Sequence, residues 1–234
     1  MKIALLGAMK EEVSLFLDFF AIAEQITIVN TIYYVSSYKD IEIVIATSNV
    51  GKVNAAIVTT LLIERFRVDM ILFSGVAGAI NTSLNIGDLM IGTHFVQHDL
   101  DITACGHPFG FAPKGAVFIE SDKALREMVK HVASTQNIPL KEGIIATGDQ
   151  FVSNRARKEW IAQSFHADAL EMEGASIAAV CAMFEIPFCI IRAISDSAEH
   201  DAGSSYQQNM EKAATQSALL MISVVETLAS DFHV

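Results

Sequence analysis

The side chains of this chain that can do chemistry stand just after short apolar runs. Glu12 follows KIALL within GAMKEE, Glu171 and Glu173 stand two apart in LEME, and Arg192, Ser195 and Asp196 close the segment PFCIIRAISD. Two further segments are of the same kind. SGVAGA (74–79), after VDMILF, has glycines that let backbone N–H groups approach a ligand, and GDQFV (148–152), after GIIAT, brings the aromatic Phe151. Neither GAM nor SGVAGA carries a lysine or arginine, so the set suits a neutral ligand or a water better than a phosphate. Each residue also has a plainer reading. Glu12 can be a carboxylate favoured by the dipole of the first helix, Asp196 can cap its own loop with Arg192 as a partner, and SGVAGA can be a simple strand-to-helix turn. Glu171 and Glu173 would share a side in a strand and diverge at a turn into a helix, so only one of them need be functional.

The spacing HxxxHDxD, made by His94, His98, Asp99 and Asp101, suggests a metal. The segment around it, GDLMIGTHFVQHD, alternates like a strand, in which four residues span about 13 Å. No metal site is expected there, and no Ser/His/Asp or Cys/His grouping stands out.

The elements that must position these groups are apolar, β-branched runs alternating with helical patterns. Strands are expected at 2–6, 41–47, 68–73, 143–147 and 187–194, with 31–38 forming a hairpin to 41–47. Helices are expected at 9–20, 52–66, 122–136, 155–164, 173–185 and 205–230. The last of these carries Tyr206, Met210, Ala214, Leu219, Ile222 and Val225 as an apolar stripe. The implied fold is α/β: one domain over 1–234, three layers α-β-α, with a central mixed, twisted sheet. In open α/β sheets ligands bind beyond the carboxyl ends of strands, where these segments lie.

Composition narrows the class. With 52% hydrophobic and 18% charged residues and a mean hydropathy of +0.39, the chain has more apolar surface than a monomer needs to bury, which points to an oligomer. A net charge of −11 and pI near 5.0 argue against nucleic acid or an anionic membrane as partner. The start, MKIALLGAMKEE, is too short in its apolar part for a signal peptide, and no uninterrupted apolar run approaches the roughly 20 residues that span a bilayer, so a cytoplasmic protein is expected. Cys105, Cys181 and Cys189 lack paired spacing and read as reduced, mostly buried thiols.

Taken together, LLGAMKEEV, SGVAGA, ATGDQFV, LEMEGAS and RAISDSA resemble the signature segments of the 5′-methylthioadenosine/S-adenosylhomocysteine nucleosidases, within the nucleoside phosphorylase superfamily. The resemblance runs from residue 1 to about 230 and implies a nucleoside phosphorylase-like fold, hydrolysis of an N-glycosidic bond with release of adenine, and no cofactor. It implies Asp196 as the acid that protonates adenine N7, Glu12 as the base on the attacking water, Glu173 as the ligand of the ribose hydroxyls, and Arg192 as a group placing that water and Glu173. Phe151 would stack on the purine, the Val152 backbone would read its edge, and Ser195 would lie beside it. Ala8, Met9, Val50, Val76, Gly78 and Met172 would line the ribose and 5′ side, and Tyr206 would close over the 5′ group. Residues 102–113 of a second copy, Cys105 and Pro113 among them, would complete the pocket of a homodimer.

An acid with the ordinary aspartate pKa of 3.9 is protonated about 0.1% of the time at pH 7, so Asp196 would need a raised pKa worth about 3 to 4 kcal/mol. Two positions depart from the family pattern: Cys105 stands where an aromatic is common, and Val76 where some members have serine. The segment QHDLDITACGHPFGFAPKG also resembles nucleosidases of the futalosine route to menaquinone, which implies aminodeoxyfutalosine as a further substrate. The alternatives are a phosphate-dependent nucleoside phosphorylase and a nucleoside-binding sensor without turnover.

Overall fold

Strands buried on both faces read as continuous apolar runs rather than alternating ones, and such runs form the centre of this molecule. A computed structural model describes residues 1–112, 115–198 and 202–231. The strands are β1 (Lys2–Gly7), β2 (Ile22–Ile28), β3 (Thr31–Tyr38), β4 (Ile41–Thr47), β5 (Met70–Ala79), β6 (Leu89–Gln97), β7 (Ile119–Glu120), β8 (Leu140–Thr147), β9 (Ala169–Glu171) and β10 (Phe188–Asp196). The helices are α1 (Lys10–Phe19), α2 (Lys52–Phe66), α3 (Lys123–Thr135), α4 (Arg155–Phe165), α5 (Gly174–Phe184) and α6 (Ala202–Asp231). All nine residues of β10 are buried.

The sheet is mixed. β1 lies parallel between β4 and β5, and β3 and β2 extend the β4 edge antiparallel as a meander. On its other edge β5 meets β10 in parallel, and beyond the end of β1 its first edge meets β9 antiparallel; β6 and β8 connect β10 to β9, so β5, β10, β6, β8 and β9 close on themselves. One core cluster joins α1, α3 and α6 to the sheet, and a second joins α2 and α5 to it. The helices therefore cover both sides of a single domain. A smaller cluster seats Ile161 and Phe165 of α4 against Val96 and Ala146.

Three expectations change. SGVAGA is not a turn: β5 runs through it, because small residues buried on both faces let Ser74 to Gly78 pair with Ile191 to Asp196 of β10. β2 and the three-residue β9 gave little signal, since β2 is a largely exposed edge with Glu24 and Gln25 in it. Leu219 is 51% exposed, whereas Ala214, Ala218, Ile222 and Val225 are buried; a position five residues after Ala214 falls off the 3.6-residue stripe. Of the cysteines, Cys181 and Cys189 are buried, but Cys105 is exposed on a 3₁₀ turn, Thr103–Cys105. By length and hydropathy α6 could cross a membrane, yet 61% of that window is buried inside the protein, where the helix packs on β5, β10, α1 and α3.

Candidate active site

The site begins with a gap in strand pairing. β1 follows β5 only as far as Leu6 opposite Phe73, and that edge of β5 is met again at Gly78 and Ala79 by β9. In the interval the N–H of Val76 donates to a carboxylate instead of a strand: it reaches Glu12 Oε1 at 3.0 Å. Glu12 is the third residue of α1 and folds back over the helix start, where its Oε2 accepts from Ala8 N at 2.5 Å and Met9 N at 3.1 Å. Two N–H groups at the start of α1 and one from β5 thus hold one carboxylate, and the helix start contributes as such an end does for any anion. Burial raises the Glu12 pKa above the ordinary carboxylate value, against the pull of Arg192 and the three N–H groups. A carboxylate so placed is a stronger base than one in water. Only glycine fits at position 75, where a Cβ would overlap the Arg192 guanidinium and lie 2.6 Å from Glu12 Oε1.

The pair in LEME separates as the chain leaves β9. Glu171, the last residue of the strand, takes over the capping of α5: its Oε2 accepts from Glu173 N at 3.1 Å and Gly174 N at 2.7 Å, while Thr147 Oγ1 donates to its Oε1. Glu173 occupies the N-cap position of α5 without using its side chain as a cap. Its Oε1 instead accepts from Gly51 N at 3.0 Å, and it borders the cleft. Arg192, fully buried on β10, donates to Glu171 Oε2 and lies 3.5 Å from Glu173 Oε2, with its guanidinium 4.1 Å from the Phe73 ring centre. Its partner is therefore this pair of glutamates. It stands behind the wall of the cleft, where Glu171, Glu12 and Glu173 more than offset the burial that would lower its pKa.

One guanidinium thus faces three buried carboxylates. The surplus shows in Glu173, whose pKa rises to about 8, first from burial and then from Glu171, against Arg192. A carboxyl whose pKa is higher folded than unfolded favours the native state fully below the unfolded pKa, and this contribution is lost as pH rises through the folded one. Glu173→Gln, fixed in the neutral form, should match the wild type in Tm near pH 4.5 and exceed it by several degrees at pH 9. Thermal unfolding across that range checks this. A Gln variant less stable than the wild type at pH 9 would mean that the charge stabilises the empty protein.

Asp196 is set apart by a register shift between β10 and β5 at Ile194/Asp196. Its Oδ1 accepts from Ala198 N at 2.8 Å and its Oδ2 from Ser195 Oγ at 2.9 Å. A Cβ at Gly78 would come within 2.7 Å of Oδ1, so this glycine lets the carboxyl lie against β5.

Around these acids Ala8, Met9, Val50, Val76, Gly78, Phe151, Val152, Met172, Ser195 and Tyr206 all line a single cleft with Glu12, Glu173 and Asp196. Phe151 is half exposed at the rim, its ring edge-on to Tyr206 with centroids 5.7 Å apart, and Tyr206 Oη lies 3.1 Å from the Met9 sulfur. The cleft also takes Glu171, the other acid of LEME, and Ala77, Gln150, Leu170 and Ala198, which belong to the segments singled out in the sequence without being named there. Cys105 is exposed and does not border the cleft of its own chain; Pro113 lies outside the described residues. The four residues of HxxxHDxD go separate ways. His94 contacts Thr93 and Phe118, His98 is buried near Arg157, Asp99 pairs with Lys52, and Asp101 caps Thr103.

Such a cleft, apolar with a few convergent acids, is the usual form of a small-molecule site. It can activate a water at Glu12, deliver a proton from a carboxyl on the opposite wall, and favour positive charge between them.

Comparison with known proteins agrees in extent. Residues 2–226 match the model of the phosphorylase superfamily. The chain is 45% identical to the aminodeoxyfutalosine nucleosidase of Helicobacter pylori, over 97% of this chain and 99% of that one. It is 39% identical to the 5′-methylthioadenosine/S-adenosylhomocysteine nucleosidase of Staphylococcus aureus, over 97% of this chain and 100% of that one. The crystal structure of the Helicobacter pylori 5′-methylthioadenosine/S-adenosylhomocysteine nucleosidase with butyl-thio-DADMe-Immucillin-A superposes with a TM-score of 0.95 at 44% identity, covering 97% of this chain and 98% of that one. Matched along nearly its whole length in sequence and in fold, the chain belongs to the phosphorylase superfamily.

Proposed function

We propose that the protein is a hydrolase that cleaves the N-glycosidic bond of 5′-substituted adenine nucleosides, releasing adenine and the sugar. The observation that carries this reading is the surplus of buried carboxylate over Arg192 at the cleft. Cleavage of this bond develops an oxocarbenium-like sugar, and a site with more carboxyl groups than cations stabilises that charge more than it stabilises the neutral substrate. In this reading Asp196 protonates the purine at N7, Glu12 takes the proton of the water that attacks C1′, and Glu173 accepts from the ribose hydroxyls. Arg192 fixes Glu173 from behind. Phe151 stacks on the base and Val152 reads its edge, while Met9, Val50 and Tyr206 surround the 5′ group.

Hydrolysis is favoured over phosphorolysis by the state of the helix start. The N–H groups of Ala8, Met9 and Val76 that could hold an anion are already taken by Glu12, whose charge would repel a phosphate. A sensor without turnover would need no carboxylate at that point.

5′-Methylthioadenosine and S-adenosylhomocysteine are the substrates proposed, serving methionine salvage and methyl-cycle recycling. Aminodeoxyfutalosine is proposed as another, placing the enzyme also in menaquinone synthesis. Identities of 44–45% to three aminodeoxyfutalosine nucleosidases, against 39% to the Staphylococcus aureus enzyme, favour its inclusion. The working form proposed is a cytoplasmic homodimer. Val53 and Ile57 on α2 and Met183 and Phe184 on α5, two helices packed together, are all exposed and supply an apolar face for a second copy.

Pure protein mixed with each nucleoside should release free adenine, followed by absorbance or chromatography. The account expects kcat/KM for aminodeoxyfutalosine and methylthioadenosine of the same order. A ratio below about one in a thousand, a gap of about 4 kcal/mol, rejects the first as a substrate, and folded protein that releases adenine from neither rejects the function.

A further inference from the structure

Three loops that follow different strands are locked together beside the cleft. Lys52, the first residue of α2, donates its backbone N–H to Asp149 Oδ1 at 2.8 Å; Asp149 N donates to Asp99 Oδ2 at 2.8 Å; and Asp99 Oδ1 accepts from Lys52 Nζ at 2.7 Å. The three bonds form a closed ring. Gln97 Oε1 also accepts from Lys52 Nζ at 3.2 Å, and Ser176 of α5 donates to Lys52 O at 2.7 Å. The ring is mostly shielded, with the Lys52 and Asp99 side chains 17% and 15% exposed. Against the cost of burial, Lys52, the Asp149 N–H and the nearby His98 hold the Asp99 carboxyl below its ordinary pKa.

Glycines make the fit close. Gly51 has φ 98, and a Cβ there would lie 3.1 Å from Asp149 Oδ1; a Cβ at Gly148 would overlap the His98 ring. That ring is itself buried, and burial pushes its pKa down to about 4, so it is neutral at pH 7.

What the ring touches gives it meaning. Gly51, next to Lys52, donates to Glu173 Oε1, and Asp149 is two residues from Phe151 in the loop that lines the cleft. One carboxylate therefore sits between the group proposed for the ribose hydroxyls and the loop proposed for the base. We propose that Asp99 is a positioning residue that fixes the distance between the sugar-binding Glu173 and the base-binding loop 148–152. It does not border the cleft. An isolated exposed ion pair contributes little, but a partly buried, three-membered ring shared by three loops sets geometry, and misplacement by about 1 Å can cost about 10²-fold in rate.

The inference rests on the nucleosidase reading, so two readouts are needed. Wild-type release of adenine from methylthioadenosine decides that reading by itself. Adenine affinity, measured by calorimetry and independent of turnover, together with kcat and KM, decides the role of Asp99. Asp99→Ala should lower kcat/KM about 30-fold, lowering kcat as well as raising KM, and weaken adenine binding several-fold, with Tm within a few degrees of the wild type. Asp99→Asn, which keeps an acceptor for Asp149 N, should recover part of the loss. Lys52→Gln should act through the same ring, so its effect and that of Asp99→Asn should fall well short of multiplying in the double variant. If Asp99→Ala does not fold, this cycle decides alone. Wild-type kcat/KM and adenine affinity in folded Asp99→Ala, or independent effects in the cycle, would overturn the proposal.

Discussion

Asp196→Asn should lower kcat by about 10³-fold while leaving the protein folded and able to bind its nucleoside, within the range for loss of a general acid. The substitution keeps the shape: its one oxygen can still accept from Ala198 N, which donates to Oδ1 at 2.8 Å, and its NH2 takes the place of Oδ2, where the Ser195 hydroxyl, 2.9 Å away, can turn to accept. What it removes is a proton that can move. KM should therefore change by less than about tenfold, and the deficit should appear in kcat, the signature of an interaction made only in the transition state. Glu12→Gln and Glu173→Gln should each lose at least about 10²-fold in kcat for related reasons. An amide at position 12 cannot take a proton from water, and one at position 173 cannot ionise beside the developing cation. Near-wild-type kcat in any of the three, measured by adenine release at saturating substrate, removes that residue from its role.

Arg192→Met should cost more than activity. The guanidinium is fully buried and lies against Glu171 and Glu173, so methionine fills much of the volume but leaves acids buried without their counter-charge. Removing one partner of a buried ion pair costs about 3 to 5 kcal/mol, which for a chain of this length is about 10 °C in Tm. Activity in whatever remains folded should fall at least about 10²-fold, since Glu173 loses its anchor. Arg192→Lys should recover stability better than activity, because a single ammonium cannot reproduce the planar reach toward both glutamates. Wild-type Tm in Arg192→Met, measured at pH 7 and again at pH 5 where the acids are closer to neutral, would show that the acids need no counter-charge. The deficit should shrink at pH 5.

Much of this was legible before any coordinates. Continuous apolar runs such as PFCIIRAI announced strands buried on both faces, and five segments after strands held nearly all the cleft residues. What stayed hidden depended on contacts between distant residues. SGVAGA looked like a turn because glycine and alanine signal one locally; only pairing with β10 makes it strand. Glu171 gave no sign of its work, since capping α5 and holding Arg192 are visible only once β9, α5 and β10 meet. Arg192 was expected to help place water and Glu173, and it stands behind the wall of the cleft on the glutamate pair. Asp99, first noticed in a metal-like spacing, joins three loops that sequence order keeps about fifty residues apart.

The central claim is that acids drawn from the start of α1, the start of α5 and the end of β10 cleave the sugar–base bond with water as the acceptor. Its most direct test is the sugar product formed from methylthioadenosine by wild-type protein, identified by mass spectrometry with and without added inorganic phosphate. Adenine and free methylthioribose should form in equal amounts, at a rate that phosphate does not raise. Formation of methylthioribose 1-phosphate, with little turnover when phosphate is left out, would contradict it.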